Sequence, residues 1–285
     1  MEEKNKIESS TLYLVGTPIG NLADISERAK KVLSEVDFIA AEDTRNSMRL
    51  LTAYGIRKEL ISYYEHNKKS SGERIISRLL SGESCALITD AGMPAISDPG
   101  EEIVRLAADA GITVSVIPGP SAAISALAIS ALATSRFAFE GFLSAKASER
   151  RARLEKVKFE ERTLIFYEAP HKLKATLADM RDIFGENRKI SLCRELTKLN
   201  EEAIRTTVSG ALLLYSEKEP RGEYVLVVEG ALEAGISPDK DEDLNLSPKE
   251  AVEKYISEGM SKMDAIKAVA KERGVPKSEI YNLMI

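Results

Sequence analysis

Four loop segments collect the residues whose types and spacing suit chemistry. Gly16-Thr17-Pro18-Ile19-Gly20-Asn21 follows the short apolar run Thr11–Val15. Its glycines stand four apart with Pro18 between them. That is not the Gly-x-Gly-x-x-Gly spacing of a dinucleotide fold, and no Lys-Ser/Thr follows as in a P-loop, so NAD and ATP sites are disfavoured. Residues 90–100, DAGMPAISDPG, follow the apolar run 85–89 and place two Gly and two Pro within eleven positions. Such a loop takes an unusual backbone path and lets backbone amides approach a flat ligand closely. Pro118-Gly119-Pro120-Ser121-Ala122 is the third segment, and its small side chains leave room for a ligand. Tyr167-Glu168-Ala169-Pro170-His171 is the fourth. Each alone also reads as a plain turn; four of them at strand ends describe a cleft. Glu42-Asp43-Thr44-Arg45 adds two carboxylates and a guanidinium behind another apolar run. Such a group can move a proton or hold an anion, or it can form ion pairs with Arg45 and Arg49.

These loops need strands to carry them, and the first half of the chain supplies an alternation. Strands are expected at residues 11–15, 38–41, 60–64, 85–89 and 114–117. Helices are expected between them: one whose capping box begins at Asp24 (D-I-S-E), then 47–54, 74–80 and 101–110. Strands joined by helical crossovers imply a mainly parallel sheet covered on both faces. Beyond the Pro118-Gly119-Pro120 break the pattern is more mixed, with strands at 136–140, 163–167, 190–193 and 224–229. Helices are expected at 149–160, 172–183 and 201–216, and antiparallel pairs are possible. The run 122–133, AAISALAISALA, is too short to span a bilayer and reads as a buried helix. After a linker at 231–247 with the acidic run Asp239 to Asp243, the chain reads as three short helices. The first opens with the capping box Ser247-Pro248-Lys249-Glu250, and the second stops at Gly274. The domains expected are an N-terminal α/β domain over 11–118, a C-terminal α/β domain over 119–232 and a small helical tail over 246–285.

The composition excludes several classes. Of 285 residues, 44% are hydrophobic and 30% charged, and there is no Trp, which describes a soluble globular chain with an aliphatic core. The polar first ten residues show no secretory signal. Cys85 and Cys193 lie in apolar runs and read as reduced core thiols. With only two His besides, no zinc-ligand spacing is present, and no metal is expected. The net charge of −5 argues weakly against nucleic acid, but the charge is uneven. Residues 45–78 hold eight Lys/Arg against three Glu, a net of +5, and residues 144–158 hold six against two, a net of +4. Two basic segments flanking the loops favour an anionic substrate.

The segments VGTPIGNLADISERA, AAEDTRNSMRLL, ALITDAGMPAISDPG, VIPGPSAAISAL, FEGFLSAK, FYEAPHKL and CRELTKLNEE together resemble the tetrapyrrole methylase superfamily, over about residues 11–230. The DAGMPAISDPG loop differs from the Gly-Asp-Pro loop of the members that methylate porphyrins and corrins. It is similar to the branch that methylates a cytidine 2'-hydroxyl in 16S ribosomal RNA. The resemblance implies two α/β domains with S-adenosyl-L-methionine in the cleft between them, a homodimer and a cytoplasmic location. Carried over by position, it places Pro18, Asp90, Ala91, Gly92, Ala95, Ser121, Ala122, Glu168 and Leu196 at the cofactor. The last two contacts would be mainly backbone. No membrane association is implied.

A ribose hydroxyl is a poor nucleophile, and a general base would help it. Glu42, Asp43, Asp98 and His171 are the polar candidates near strand ends. Glu42 and Asp43 are preferred, because they follow the second strand at the edge that carries the cofactor loops. Arg45, Lys146, Arg150, Arg151 and Arg194 are the candidate phosphate contacts. Two other readings remain: methylation of a tetrapyrrole-like small molecule, and a non-catalytic RNA-binding protein of ribosome assembly.

Overall fold

The computed structural model describes residues 6–231, 247–257, 260–273 and 275–284. The chain divides into two compact units, Met1–Ala231 and Leu232–Ile285. The first holds two five-stranded sheets.

The first sheet is built from β1 (Thr11–Val15), β2 (Phe38–Ala41), β3 (Glu59–Ser62), β4 (Cys85–Ile88) and β5 (Thr113–Ile117). Helices α1 (Glu27–Glu35), α2 (Thr44–Ala53), α3 (Lys68–Leu80) and α4 (Glu101–Asp109) connect them. All pairings are parallel, in the order β3-β2-β4-β1-β5. Neighbouring side chains on a strand alternate between faces. Tyr13, Val15, Ile39, Ala41, Ala86 and Ile88 pack with α1 and α2, while Leu12, Phe38, Ala40, Cys85 and Leu87 pack with α3 and α4. The expected doubly covered parallel sheet is therefore present. Its order matters for function. The crossover from β1 runs one way, past β4 to β2, and the crossover from β4 runs the other way, past β1 to β5. The carboxyl ends of β1 and β4 thus flank a topological switch point, where open α/β sheets bind ligands.

After α5 (Ala122–Ile129) the second sheet takes β6 (Phe137–Phe142), β7 (Thr163–Glu168), β8 (Lys189–Arg194), β9 (Glu202–Thr207) and β10 (Tyr224–Val228), in the order β6-β7-β10-β8-β9. Only β6 and β7 run parallel; the other three pairings are antiparallel. One face packs on α6 (Ala147–Lys156), α7 (Pro170–Phe184) and α8 (Val208–Glu217), and the other on α5. The second unit is described by itself. Its helices α9 (Pro248–Ser257), α10 (Lys262–Glu272) and α11 (Lys277–Asn282) enclose a small core of Val252, Ala265, Ile266, Val269 and Ile280.

Several sequence expectations need correction. Residues 202–207 are the edge strand β9, not the start of a helix. Ile204, Val208 and Leu212 repeat every four residues and mimic a helical stripe. Helix α8 begins only where the Thr207 side chain accepts a hydrogen bond from the Gly210 amide at 3.1 Å. The cap of α1 is Ser26, which accepts from Ala29 N at 3.1 Å, rather than Asp24. Helix α2 begins at Thr44, three residues early, because Asp43 caps it. The apolar run 122–133 is helical only to Ile129. The box at Ser247 forms as expected: Ser247 N donates to Glu250 Oε2 at 2.7 Å, and Glu250 N to Ser247 Oγ at 3.3 Å. The acidic linker run and the helix stop at Gly274 lie outside the described residues. Cys85 and Cys193 are buried, free thiols.

Candidate active site

The loops that follow β1, β4 and β5 lock together at the switch point. Gly16 N donates to Ile117 O at 3.1 Å. Thr17 and Gly92 exchange two backbone bonds, of 2.9 and 3.1 Å, and the Thr17 hydroxyl donates to Thr89 O at 3.2 Å. Gly16 crosses Gly119 so closely that a Cβ on Gly16 would stand 2.7 Å from Gly119 Cα. Two backbones can approach so closely only where neither carries a side chain. The loop after β4 adds further constraint. Ala95 and Ser97 hold φ of +67° and +61°, a left-handed conformation that costs a non-glycine residue about 1 kcal/mol or more. The Cβ of Ala95 occupies the space beside Gly100, where a Cβ on that glycine would lie 2.9 Å away.

The second sheet closes on these loops. Ile19 and Ala122 pack in one apolar cluster with Leu196, Tyr167 and the inner face of β10. Gly20 sits against Leu196 O and the side chains of Thr197 and Lys198. The structure thus brings together Pro18, Gly92, Ser121, Ala122 and Leu196, while Ala95 packs on Gly100 in the loop after β4. Asp90 and Ala91 are exposed on the same loop, with Asp90 Oδ2 accepting from Asn46 Nδ2 at 2.8 Å. Glu168 ends β7, but its carboxylate is fully engaged. It accepts from the Ala169 amide at 2.9 Å and from Thr176 Oγ1 at 2.5 Å, and it faces Lys172 Nζ at 3.0 Å. Only its backbone remains available for a ligand.

The two preferred carboxylates part company. Asp43 caps α2 through Arg45 N at 2.8 Å and pairs with the Arg45 guanidinium at 3.1 Å. That hydrogen-bonded cation holds its carboxyl below the usual range, which suits a cap and not a base. Asp43 thus serves α2 as its cap. Glu42 instead accepts from Thr89 Oγ1 at 2.9 Å, across the ends of β2 and β4. Asp98 joins this pair. Burial first, and then the nearby Glu42 charge, push the Asp98 carboxyl up to about 6. A carboxyl whose proton affinity is raised into this range is placed to exchange a proton near neutral pH. A cavity of about 420 Å³ opens beside Asp98, lined among others by Tyr63, Lys68, Glu102 and Arg105. Sequence reading ranked Asp98 behind Asp43 because nothing local shows which carboxylate a distant strand end will approach.

The basic residues also divide. Arg45 is 87% exposed, and Lys146 is exposed beside Glu149. Arg151 is half-exposed and bridges Asp179 and Asp182. Arg194 is largely covered and pairs with Glu202 at 3.0 Å. Arg150 is a correction. It is buried, bonded to Asp179 at 2.7 Å and to the carbonyls of Ser144 and Ala145, and is out of reach of a phosphate.

Comparison with known proteins identifies the family. The profile of the family described as Tetrapyrrole (Corrin/Porphyrin) Methylases matches residues 11–211. The ribosomal RNA small subunit methyltransferase I of Halalkalibacterium halodurans is 50% identical over 276 residues, covering 97% of this chain and 95% of that protein. Its namesake in Bacillus subtilis is 47% identical over 282 residues, covering 99% and 96%. Among solved structures, a uroporphyrin-III-C-methyltransferase from Thermus thermophilus superposes with a TM-score of 0.55 at 19% identity, over 76% of this chain and 94% of that one. A diphthine synthase gives 0.58 at 12% identity, over 77% and 89%. At such low identity these two show the shared fold alone, whereas the profile and the near-full-length relatives place the chain in the tetrapyrrole methylase family, on its ribosomal RNA small subunit methyltransferase I branch.

Proposed function

We propose that this protein transfers a methyl group from S-adenosylmethionine to the 2'-hydroxyl of a cytidine in 16S ribosomal RNA. The observation that carries the reading is near-full-length identity of 42–50% to proteins named for methylating small-subunit ribosomal RNA. The low-identity likeness to a porphyrin-methylating enzyme does not extend to substrate.

The residues at the switch point fit the cofactor. The glycine crossing leaves backbone rather than side chain at the cleft wall. The small side chains of Ala91, Ala95 and Ala122 leave room for a purine, and Ile19 and Leu196 give an apolar floor. The Asp90 carboxylate suits the hydroxyls or ammonium of such a ligand. Bound S-adenosylmethionine supplies a methyl group already activated on a sulfonium. Pro18, Asp90, Ala91, Gly92, Ala95, Ser121 and Ala122 would hold it, with backbone from Glu168 and Leu196.

The chain's remaining task is to orient the acceptor hydroxyl and take its proton. Asp98 fills the role of base, with Glu42 raising its proton affinity and Thr89 holding the pair in register. Arg45, Lys146, Arg151 and Arg194 are the proposed phosphate contacts. The protein acts as a homodimer in the cytoplasm on this reading. Offering labelled S-adenosylmethionine with small ribosomal subunits, protein-free 16S RNA and a uroporphyrinogen tests it. Label entering ribosomal RNA supports the proposal, and label entering the tetrapyrrole contradicts it.

A further inference from the structure

The end of β6 carries a device that neither the cofactor loops nor the carboxylates use. The β6–β7 ladder runs in register through Phe139 and Ile165. It then skips Glu140, so that Gly141 meets Phe166 and Phe142 meets Tyr167. Bulges of this kind re-aim side chains and are common beside active sites. Without it, Gly141 would pair with Tyr167 and Phe142 with Glu168, the last residue of β7, and each side chain would turn to the opposite face. Gly141 takes φ +65° to make the bulge, and a Cβ there would stand 3.2 Å from Ser97 Oγ, next to Asp98 in the chain.

The result is an aromatic ring that is 61% exposed yet held. Phe142 meets Tyr167 edge-on at 5.3 Å, Phe139 meets the same ring edge-on at 5.0 Å, and the Lys172 ammonium lies 5.8 Å from the Phe142 ring. Lys172 is itself fixed by Leu143 O at 2.9 Å and Glu168 at 3.0 Å. Tyr167 is near enough to Asp98 to feel its charge. An open aromatic ring held beside the Ser97–Asp98 segment matches an unstacked nucleotide by offering a π-face for its base.

We infer that Phe142 is the stacking platform for the target base, seating the nucleotide so that its ribose hydroxyl reaches Asp98. This inference rests on the ribosomal RNA reading above. Replacing an aromatic platform costs about ten- to a hundredfold in affinity. F142L should therefore raise KM for small ribosomal subunits by about that factor, while F142Y and F142W retain the wild-type value. Calorimetry should find S-adenosylmethionine affinity the same in all three, which shows the fold intact. The chain has no Trp, so F142W also reports on the site by fluorescence.

Wild-type KM in F142L, or equal loss in F142L and F142Y, overturns the inference. So does indole emission from F142W that follows protein concentration in the absence of RNA, because a second copy of the chain would then cover the ring. If the wild-type protein methylates no ribosomal RNA at all, the functional reading has failed instead.

Discussion

At the scale of single residues, the site depends on which charges share a neighbourhood. Asp43 and Glu42 are adjacent in sequence, yet one caps a helix and the other faces Asp98 across Thr89. Asp98 must be ionised to act as a base, so activity should fall as pH drops through about 6. E42Q removes the like charge, so the acid limb of the kcat/KM profile should move to lower pH. An unmoved limb would dismiss the coupling. Stability should show the opposite face of the same ionisation. The folded carboxyl titrates above its unfolded value near 4, so ionising it costs stability as pH rises between roughly 4 and 6, and the full cost persists above. D98N should therefore stabilise the protein at pH 7–8 by about 1 kcal/mol, discounted because the group is only half-buried, and by nothing near pH 4. Urea denaturation at the two pH values measures this.

Arg150 and Arg151 make the same point. Nothing in the sequence separates them; Asp179, 28 and 29 residues away, does. Truncating Arg150 leaves a buried carboxylate short of a partner, a change that costs about 3–5 kcal/mol. R150A should fall toward the low end, since Arg151 still faces Asp179, and the Kd of the folded protein for ribosomal RNA should not change. A weakened Kd at unchanged stability would return Arg150 to the substrate contacts.

At the scale of elements, the alternation of the first half was legible because short apolar runs bounded by Gly and Pro leave few alternatives to a parallel sheet. The second half was less so. The edge strand β9 buries little on either face, and its residues carry a helical spacing into α8. The four loops stood out by their prolines and, in three of them, their glycines, but the interlock did not. Gly16 and Gly119 lie far apart in the chain, and only strand order brings them within touching distance. G119A should therefore lower S-adenosylmethionine affinity by about tenfold or more, as a Cβ pushes the two backbones apart. Far-ultraviolet dichroism should stay native, because both sheets are built without that contact. Native affinity in G119A would show that the crossing is incidental to the cradle. The bulge at Gly141 was likewise invisible beforehand, since FEGF reads as plain strand.

At the scale of the molecule, the arrangement of two sheets explains why the chemistry needs the first unit's full length. The switch point and Ile19 belong to the parallel sheet, while Leu196 and Phe142 come from the mixed one. On the proposed reading, the loops of the switch point are thereby joined to an exposed aromatic and to surface cations that suit RNA. The central claim is methylation of a ribose hydroxyl. An unmodified 2'-hydroxyl attacks its own phosphodiester in alkali, and a methylated one cannot. The decisive measurement is alkaline cleavage mapping of 16S RNA from subunits treated with the protein and S-adenosylmethionine. The account predicts one new resistant linkage, immediately 3' of a cytidine. Full alkali sensitivity, with the label carried on a base or on no RNA at all, would contradict it.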